Sequence, residues 1–181
     1  GFAGFGNYVD VLTDVATRDA IIVTIELTVV VGLVSLVLGM LIALLLDRKY
    51  LGRGAVRTMM ITPFLVVPVA AALLWKHALF NPEYGLLNGA LTWIWGLFGS
   101  DSPPQPDWIS TFPLGAIEVA LIWQWTPFMM LILLAGLQSQ PGDVLEAAKV
   151  DGANGVQTFR YMTLPHLRQY LELGVLLGAV Y

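Results

Sequence analysis

Cysteine is absent from this 181-residue chain, which excludes a disulfide framework, a thiolate metal site and a thiol nucleophile. Charge is scarce as well. Asp, Glu, Lys and Arg together make up 12% of the residues, against about 25% in an ordinary soluble domain. The formal net charge of −4 leaves no basic stripe, so no nucleic-acid partner is expected. The two histidines, His77 and His166, stand far apart without ligand-like spacing, and neither a metal nor a cofactor is expected on this chain. No basic segment leads an apolar run at the start, so no cleavable signal peptide is read. No internal repeat or low-complexity tract is visible.

What fills the chain instead is apolar: 57% of residues, with a clearly positive mean hydropathy. Three stretches are long enough to cross a bilayer, which takes about 20 apolar residues as a helix. They are about 20–46, 58–77 and 114–137, and another begins at about 170. None alternates in the manner of a barrel strand, so helices that satisfy their own amides are expected. The fold class expected is an all-α polytopic transmembrane bundle forming a single domain over 1–181. The chain starts on Gly rather than Met, and its last apolar run, Leu171 to Tyr181, stops early. A fragment of a longer protein is therefore expected, with three complete spans and the start of a fourth.

The connecting segments set direction. Asp47 to Arg57 holds Arg48, Lys49, Arg53 and Arg57, while Phe80 to Thr111 holds Glu83, Asp101 and Asp107 without Lys or Arg. Cytoplasmic loops are the basic ones. This places 47–57 and 138–169 inside and 80–111 outside, along with Gly1 to Asp19. Leu86 to Phe98, with Trp93 and Trp95, suits a helix at the headgroup boundary. Asp101 to Ser110, with Pro103, Pro104 and Pro106, reads as an extended turn region.

The segment from Glu146 to Pro165 is a polar island between apolar runs. Pro141 suits a first helical turn, and Asp143 favours the positive end of the helix dipole. Asp143 to Val150 then forms two turns, which Asp151-Gly152 stops with a left-handed glycine. Asn154 caps a second short helix toward Met162, and Pro165 is expected to end it. Small side chains on such a hairpin let a partner's backbone approach, and one acid offers a directional ion pair.

Glu146, Ala147, Ala148, Gly152, Leu164 and Pro165 fall in the register of the cytoplasmic "EAA loop", and the segment resembles that of binding-protein-dependent ABC importer permeases. Met162 stands where that family usually has Ile. Arg57 to Pro68, Leu74-Trp75-Lys76, Asn81-Pro82 with Gly85-Leu86-Leu87-Asn88, and Trp123 to Phe128 followed by Ala135 to Gln138 look like its carbohydrate and polyol branch, related to the maltose-type permeases. The resemblance implies a multi-pass protein of a bacterial or archaeal plasma membrane, importing a sugar or polyol and catalysing no covalent chemistry itself. It also implies a second permease subunit, two cytoplasmic ATP-binding subunits and an extracytoplasmic solute-binding protein. Glu146, Ala147, Ala148, Asp151, Gly152, Leu164 and Pro165 would then couple to the ATPase. This chain has no Gly-x-x-x-x-Gly-Lys-Ser/Thr segment, so the partner ATPase would use the ATP. A permease for another solute, such as glycerol phosphate, would keep the same loop. An ion-driven carrier would not need it.

Other residues leave two readings open. Ser35, Gly39 and Ala43, with Gly32 nearby, form a small-residue stripe, either a moving interface or packing within one subunit. Pro63 and Pro68 are either a hinge or a static kink. Glu26 and Glu118 are either solute contacts or acids that snorkel outward or pair with Lys76. Gln124, Trp125 and Phe128, with Trp123, mix aromatic faces and an amide that either line a polyol path or anchor the membrane edge. His77 and His166 read as surface or docking residues, and the basic cluster as a topology determinant.

Overall fold

The computed structural model describes residues 4–48, 50–99 and 103–180. Lys49 and Asp101 of the charge argument, and the chain ends at Gly1 and Tyr181, lie outside the described residues. All regular structure among the described residues is helical. A short helix α1 (Gly6–Thr13) leads to α2 (Val15–Asp47), which Asp14 caps by accepting the Thr17 amide at 3.1 Å. Its 33 residues reach about 50 Å at ~1.5 Å each, so α2 extends beyond the apolar 20–46 core. The other straight span, α7 (Pro113–Gln138), matches the apolar run to within a residue at each end.

α2 and α7 run parallel. Thr28 and Ser35 lie level with Leu121, Trp125 and Met129, and farther along Ala43 and Leu46 pack with Leu133 and Leu137. The small-residue stripe is the seam: Ser35, Gly39 and Ala43 are buried against α7. A Cβ on Gly39 would lie 2.8 Å from both Met129 Cβ and the Met130 backbone nitrogen. The packing reading of the stripe is therefore the observed one. Helix α10 (Leu164–Val180) returns antiparallel to α7, with Gly136 against Leu167 and Tyr170 and Gly178 against Met129. The buried cluster Ala43, Leu46, Met130, Leu133, Leu134, Leu137 and Leu167 holds these three helices together.

The run 58–77, expected as one span, is two helices. α3 (Arg53–Leu65) and α4 (Pro68–Leu74), the latter continued by a π-turn over Trp75–Leu79, are bent by 100° relative to each other. Among the described residues two helices are thus long and apolar enough to cross, and three crossings result only if the bent pair counts as one. Pro68 explains the break, because a proline disfavours helical backbone at the residue before it. Val66 and Val67 are extended, with ψ of 129° and 136°. The break frees a carbonyl in an apolar region, and Gln124 of α7 meets it: Nε2 donates to Val66 O at 2.9 Å. Gln124→Leu is expected to leave that carbonyl without a partner and cost about 1–3 kcal/mol. A lowered thermal midpoint in detergent checks this. An unchanged midpoint would remove Gln124 from the bend.

At the end where α4 finishes, Asn81 Oδ1 accepts the amides of Glu83 and Tyr84, and Gly85 lies so close to the Leu79 and Asn81 carbonyls that any Cβ would collide. Helix α5 (Leu86–Leu97) follows, exposing Trp93, Leu97 and Phe98 on one apolar surface. Asn88, 2% exposed, ties this region together. Its Nδ2 donates to Pro82 O at 3.0 Å and Pro106 O at 3.2 Å, and its Oδ1 accepts from Trp108 Nε1 at 2.7 Å. The stretch 101–110, expected as wholly extended, ends in a short helix α6 (Trp108–Thr111). Asp107 caps α6, and the Ser110 hydroxyl and amide hold its carboxyl below the usual range. Asn88→Ala is expected to unfasten α5 from α6, costing about 2 kcal/mol in lost and orphaned bonds. Faster limited proteolysis between 99 and 107 would register it.

Candidate functional site

Because α2 and α7 are parallel, Asp47 and Gln138 leave the bundle at the same end. The basic turn and the polar island therefore share that end, while α5 and α6 sit at the other.

The island is a helical hairpin. Helix α8 (Gly142–Val150) begins just after Pro141, which occupies the N-cap with φ −60° and ψ 127° rather than the first turn. Asp143 stands in its first turn and Lys149 in its last, both favourable to the helix dipole. The turn that follows satisfies the free carbonyls of α8 in a Schellman arrangement. Ala153 N–H donates to Ala148 O at 2.9 Å and Gly152 N–H to Lys149 O at 3.1 Å. Gly152 takes φ +80°, where a side chain would be strained. Asn154 and Gln157 then form a reciprocal capping box at 2.9 and 2.8 Å that starts α9 (Gly155–Thr158).

The second helix does not stop at Pro165. It widens into a π-turn over Phe159–Thr163, in which Leu164 N–H donates to Phe159 O, and continues as α10 through Val180. The wider turn absorbs the proline, whose missing N–H and ring would otherwise break a regular helix at that point. The hairpin's second arm is thus one rod with the next helix of the bundle.

Among the coupling candidates, Glu146, Ala147, Asp151, Gly152 and Pro165 are exposed, Leu164 is partly so, and Ala148 is buried beneath the turn. Sequence reasoning did not single out Val150, Val156 and Tyr161, which are 87%, 75% and 65% exposed. These three apolar side chains stand open on the most polar segment of the chain. Their only sequence signal is being apolar where the surroundings are polar. Beside them a cavity of about 290 Å³ is lined by Asp151, Gly152, Gln157, Tyr161 and Met162.

Within the bundle, Trp125 and Phe128 join Phe64 in an aromatic cluster with centroids 5.3 to 6.1 Å apart, at the α3–α4 break that Gln124 also reaches. Gln124 lines a cavity of about 300 Å³ with Pro68, Trp75 and Ala116, whereas Trp125 lines one of about 240 Å³ with Thr24, Thr28 and Ser35. Glu26 and Glu118 line neither cavity. Glu26 is exposed, and Glu118 buries one carboxyl oxygen without a hydrogen-bond partner. Among the described residues neither forms an ion pair with Lys76. Pro68 sits at the 100° bend, while Pro63 lies inside α3, where its carbonyl accepts the Val66 amide at 3.2 Å. No group of side chains able to hold a metal ion occurs among the described residues.

The family profile described as "Binding-protein-dependent transport system inner membrane component" matches residues 35–180. The probable ABC transporter permease protein y4oQ of Sinorhizobium fredii is 40% identical over 173 residues, covering 95% of this chain and 53% of that protein. The trehalose/maltose transport system permease protein MalF of Thermococcus litoralis is 36% identical over 182 residues, covering 99% of this chain and 59% of that protein. In fold, the chain is similar to part of a bacterial alginate ABC transporter crystallised with an alginate pentasaccharide-bound periplasmic protein, with a TM-score of 0.81 at 23% identity. That match covers 98% of this chain and 60% of the other. The chain therefore spans little more than half the length of these relatives.

Proposed function

The chain belongs to the family of binding-protein-dependent transport system inner membrane components, and from that premise we propose that it is the membrane-spanning part of an ATP-driven importer for a sugar or polyol. In this reading the hairpin 138–169 lies in the cytoplasm and seats on an ATP-binding subunit. A second permease completes the solute path, and an external binding protein delivers the solute to the face that carries α5 and α6.

The observation that carries the reading is the hairpin itself. A stiff, capped bend presents exposed acids, small residues and three exposed apolar side chains at the same end of the bundle as the basic turn. A rod without interruption then links its second arm to the bundle. Such an object transmits displacement, whereas a flexible linker of equal length would absorb it. The aromatic cluster of Phe64, Trp125 and Phe128 offers flat apolar faces of the kind that stack on sugar C–H surfaces.

The test uses a single introduced cysteine, with any cysteine elsewhere in the full-length protein replaced; this chain contributes none. Lys149→Cys in the full-length protein, in intact cells, is expected to resist a membrane-impermeant maleimide until the membrane is opened, and the affinity-purified protein is expected to bring an ATPase with it. Labelling from outside would place the hairpin beyond reach of any nucleotide-driven subunit and end the proposal.

A further inference from the structure

The two arms of the hairpin are fastened at their base by a side-chain knot that no part of the reading above requires. Ser139 closes α7, and its Oγ lies 2.8 Å from Gly136 O, 3.0 Å from His166 Nε2 and 2.8 Å from the Tyr170 hydroxyl. A serine hydroxyl has one hydrogen to give and two lone pairs to receive. The Gly136 carbonyl can only accept, so it takes the Ser139 proton. The Tyr170 O–H and a His166 Nε2–H must then both donate to Oγ, which places a proton on Nε2 of His166. The three bonds together saturate the serine. They join α7 to residues 27 and 31 positions later in the chain.

Packing prepares the knot. Gly136 lacks the side chain that would block Tyr170: a Cβ there would lie 2.7 Å from Tyr170 Cδ2 and from Leu167 Cδ2. The tyrosine ring therefore lies on the α7 backbone one turn before Ser139, and His166 stacks at an angle on the same ring with centroids 6.0 Å apart. Leu167, fully buried between these two positions, belongs to the central apolar cluster. The knot thus connects directly to the packed core of the bundle.

We propose that Ser139, His166 and Tyr170 are positioning residues that clamp the base of the hairpin, so that α7 and α10 move together when the tip is displaced. The argument rests on the coupling role proposed for the hairpin, but the stiffness it requires is a property of this chain alone. An unclamped hairpin hinges at residues 139–141, where α7 has ended and α8 has not begun. Motion of the tip would then pass into α10 through its continuous rod and leave α7 behind. With the clamp, both helices receive it.

The experiment reads the hairpin's rigidity first and its coupling second. Spin labels are placed at Val119→Cys on α7 and Leu173→Cys on α10, both exposed positions, in the full-length protein, cleared of any other cysteine and purified in detergent. The distance distribution between them is expected to be narrow, and to broaden about twofold or more in Ser139→Ala and in Tyr170→Phe; a typical hydrogen bond contributes only about 1 kcal/mol, enough to populate an open base. Tyr170→Phe keeps the ring on Gly136, so broadening reports the hydroxyl rather than lost packing. Ser139→Thr, which restores a hydroxyl, is expected to return the narrow distribution. The double variant is expected to be no broader than Ser139→Ala alone, because the bond that Tyr170→Phe removes is already lost with the serine hydroxyl.

The same labels are then followed in the complex with its co-purified ATPase, trapped with Mg-ATP and vanadate. The distance is expected to hold in the parent and to shift in Ser139→Ala, while retention of the ATPase stays unchanged. Equal widths in parent, Ser139→Ala and Tyr170→Phe would overturn the clamp, as would additive broadening in the double variant. Failure of the parent to retain an ATPase would instead overturn the coupling reading, and the widths measured without the ATPase would still decide the clamp.

Discussion

Gly39→Leu is expected to prevent the assembly of α2 with α7 and leave little folded protein. Even the first added carbon meets main chain as well as side chain, 2.8 Å from the Met130 nitrogen and 2.8 Å from Met129 Cβ. Met129 and Met130 are 2% and 0% exposed, so neither has open space in which to move. Overpacking a filled core costs about 1–3 kcal/mol for modest insertions, and a whole leucine side chain wedged against backbone belongs above that range. Lipid offers little compensation. Association of spans depends on close packing rather than on escape from water, so separated helices lose the contacts that joined them. Gly32→Ala is the control, because a Cβ there meets nothing within 4 Å. Size-exclusion profiles and thermal midpoints in detergent should show a collapsed yield or a large drop for Gly39→Leu and almost no change for Gly32→Ala. A monodisperse Gly39→Leu protein with a normal midpoint would refute the seam.

The same stripe illustrates what a sequence can convey. Ser35, Gly39 and Ala43 at intervals of four announce that some helix approaches closely, because helix geometry alone puts them on one face. Which helix approaches is a tertiary fact. It depends on Met129 and Met130, whose large flexible side chains carry no small-residue pattern of their own. The local signals of the hairpin were more complete, since each is decided within a few residues. The stop at Asp151-Gly152 and the cap at Asn154 needed only their own neighbourhoods, and both stand as expected.

Two departures involve proline. Pro165 was expected to end a helix and is absorbed in a π-turn, and the run 58–77, expected as one span with a hinge or static kink at Pro63 and Pro68, breaks by 100° at Pro68. Proline only removes a donor and excludes a backbone region. What the chain does next depends on who satisfies the freed groups. At Pro165 the preceding π-turn supplies the accommodation within the helix itself. At Pro68 the break survives because Gln124, 58 residues away, binds the Val66 carbonyl. No reading of the local sequence contains that partner. Gln124 was read as lining a polyol path or anchoring the membrane edge, and the bond from its amide nitrogen to Val66 lies outside both readings.

Glu146→Lys is expected to abolish retention of the ATPase while leaving the chain folded, and Gly152 substitutions separate shape from charge. Glu146 is exposed, and among the described residues no hydrogen bond or ion pair holds it, so reversing it disturbs no packing there. Truncating one member of a buried charged pair in an interface costs about 2–5 kcal/mol, and reversal adds repulsion. Affinity should thus fall by about 30-fold or more, at about 1.4 kcal/mol per tenfold. Pull-down from solubilised membranes, with the thermal midpoint of the permease as the folding control, measures both effects. Gly152 makes the complementary case. No atom lies within 4 Å of a Cβ there, so its requirement inside the chain is the φ of +80° alone. Asn tolerates that region and Val does not, at about 1–2 kcal/mol for a strained residue. If the bend is what the partner reads, Gly152→Asn should keep most of the ATPase and Gly152→Val should lose it. Equal loss in both would mean that the partner's surface reaches the glycine itself and leaves no space for any side chain. Equal retention in both, with Glu146→Lys also retained, would show that the hairpin holds no ATPase at all.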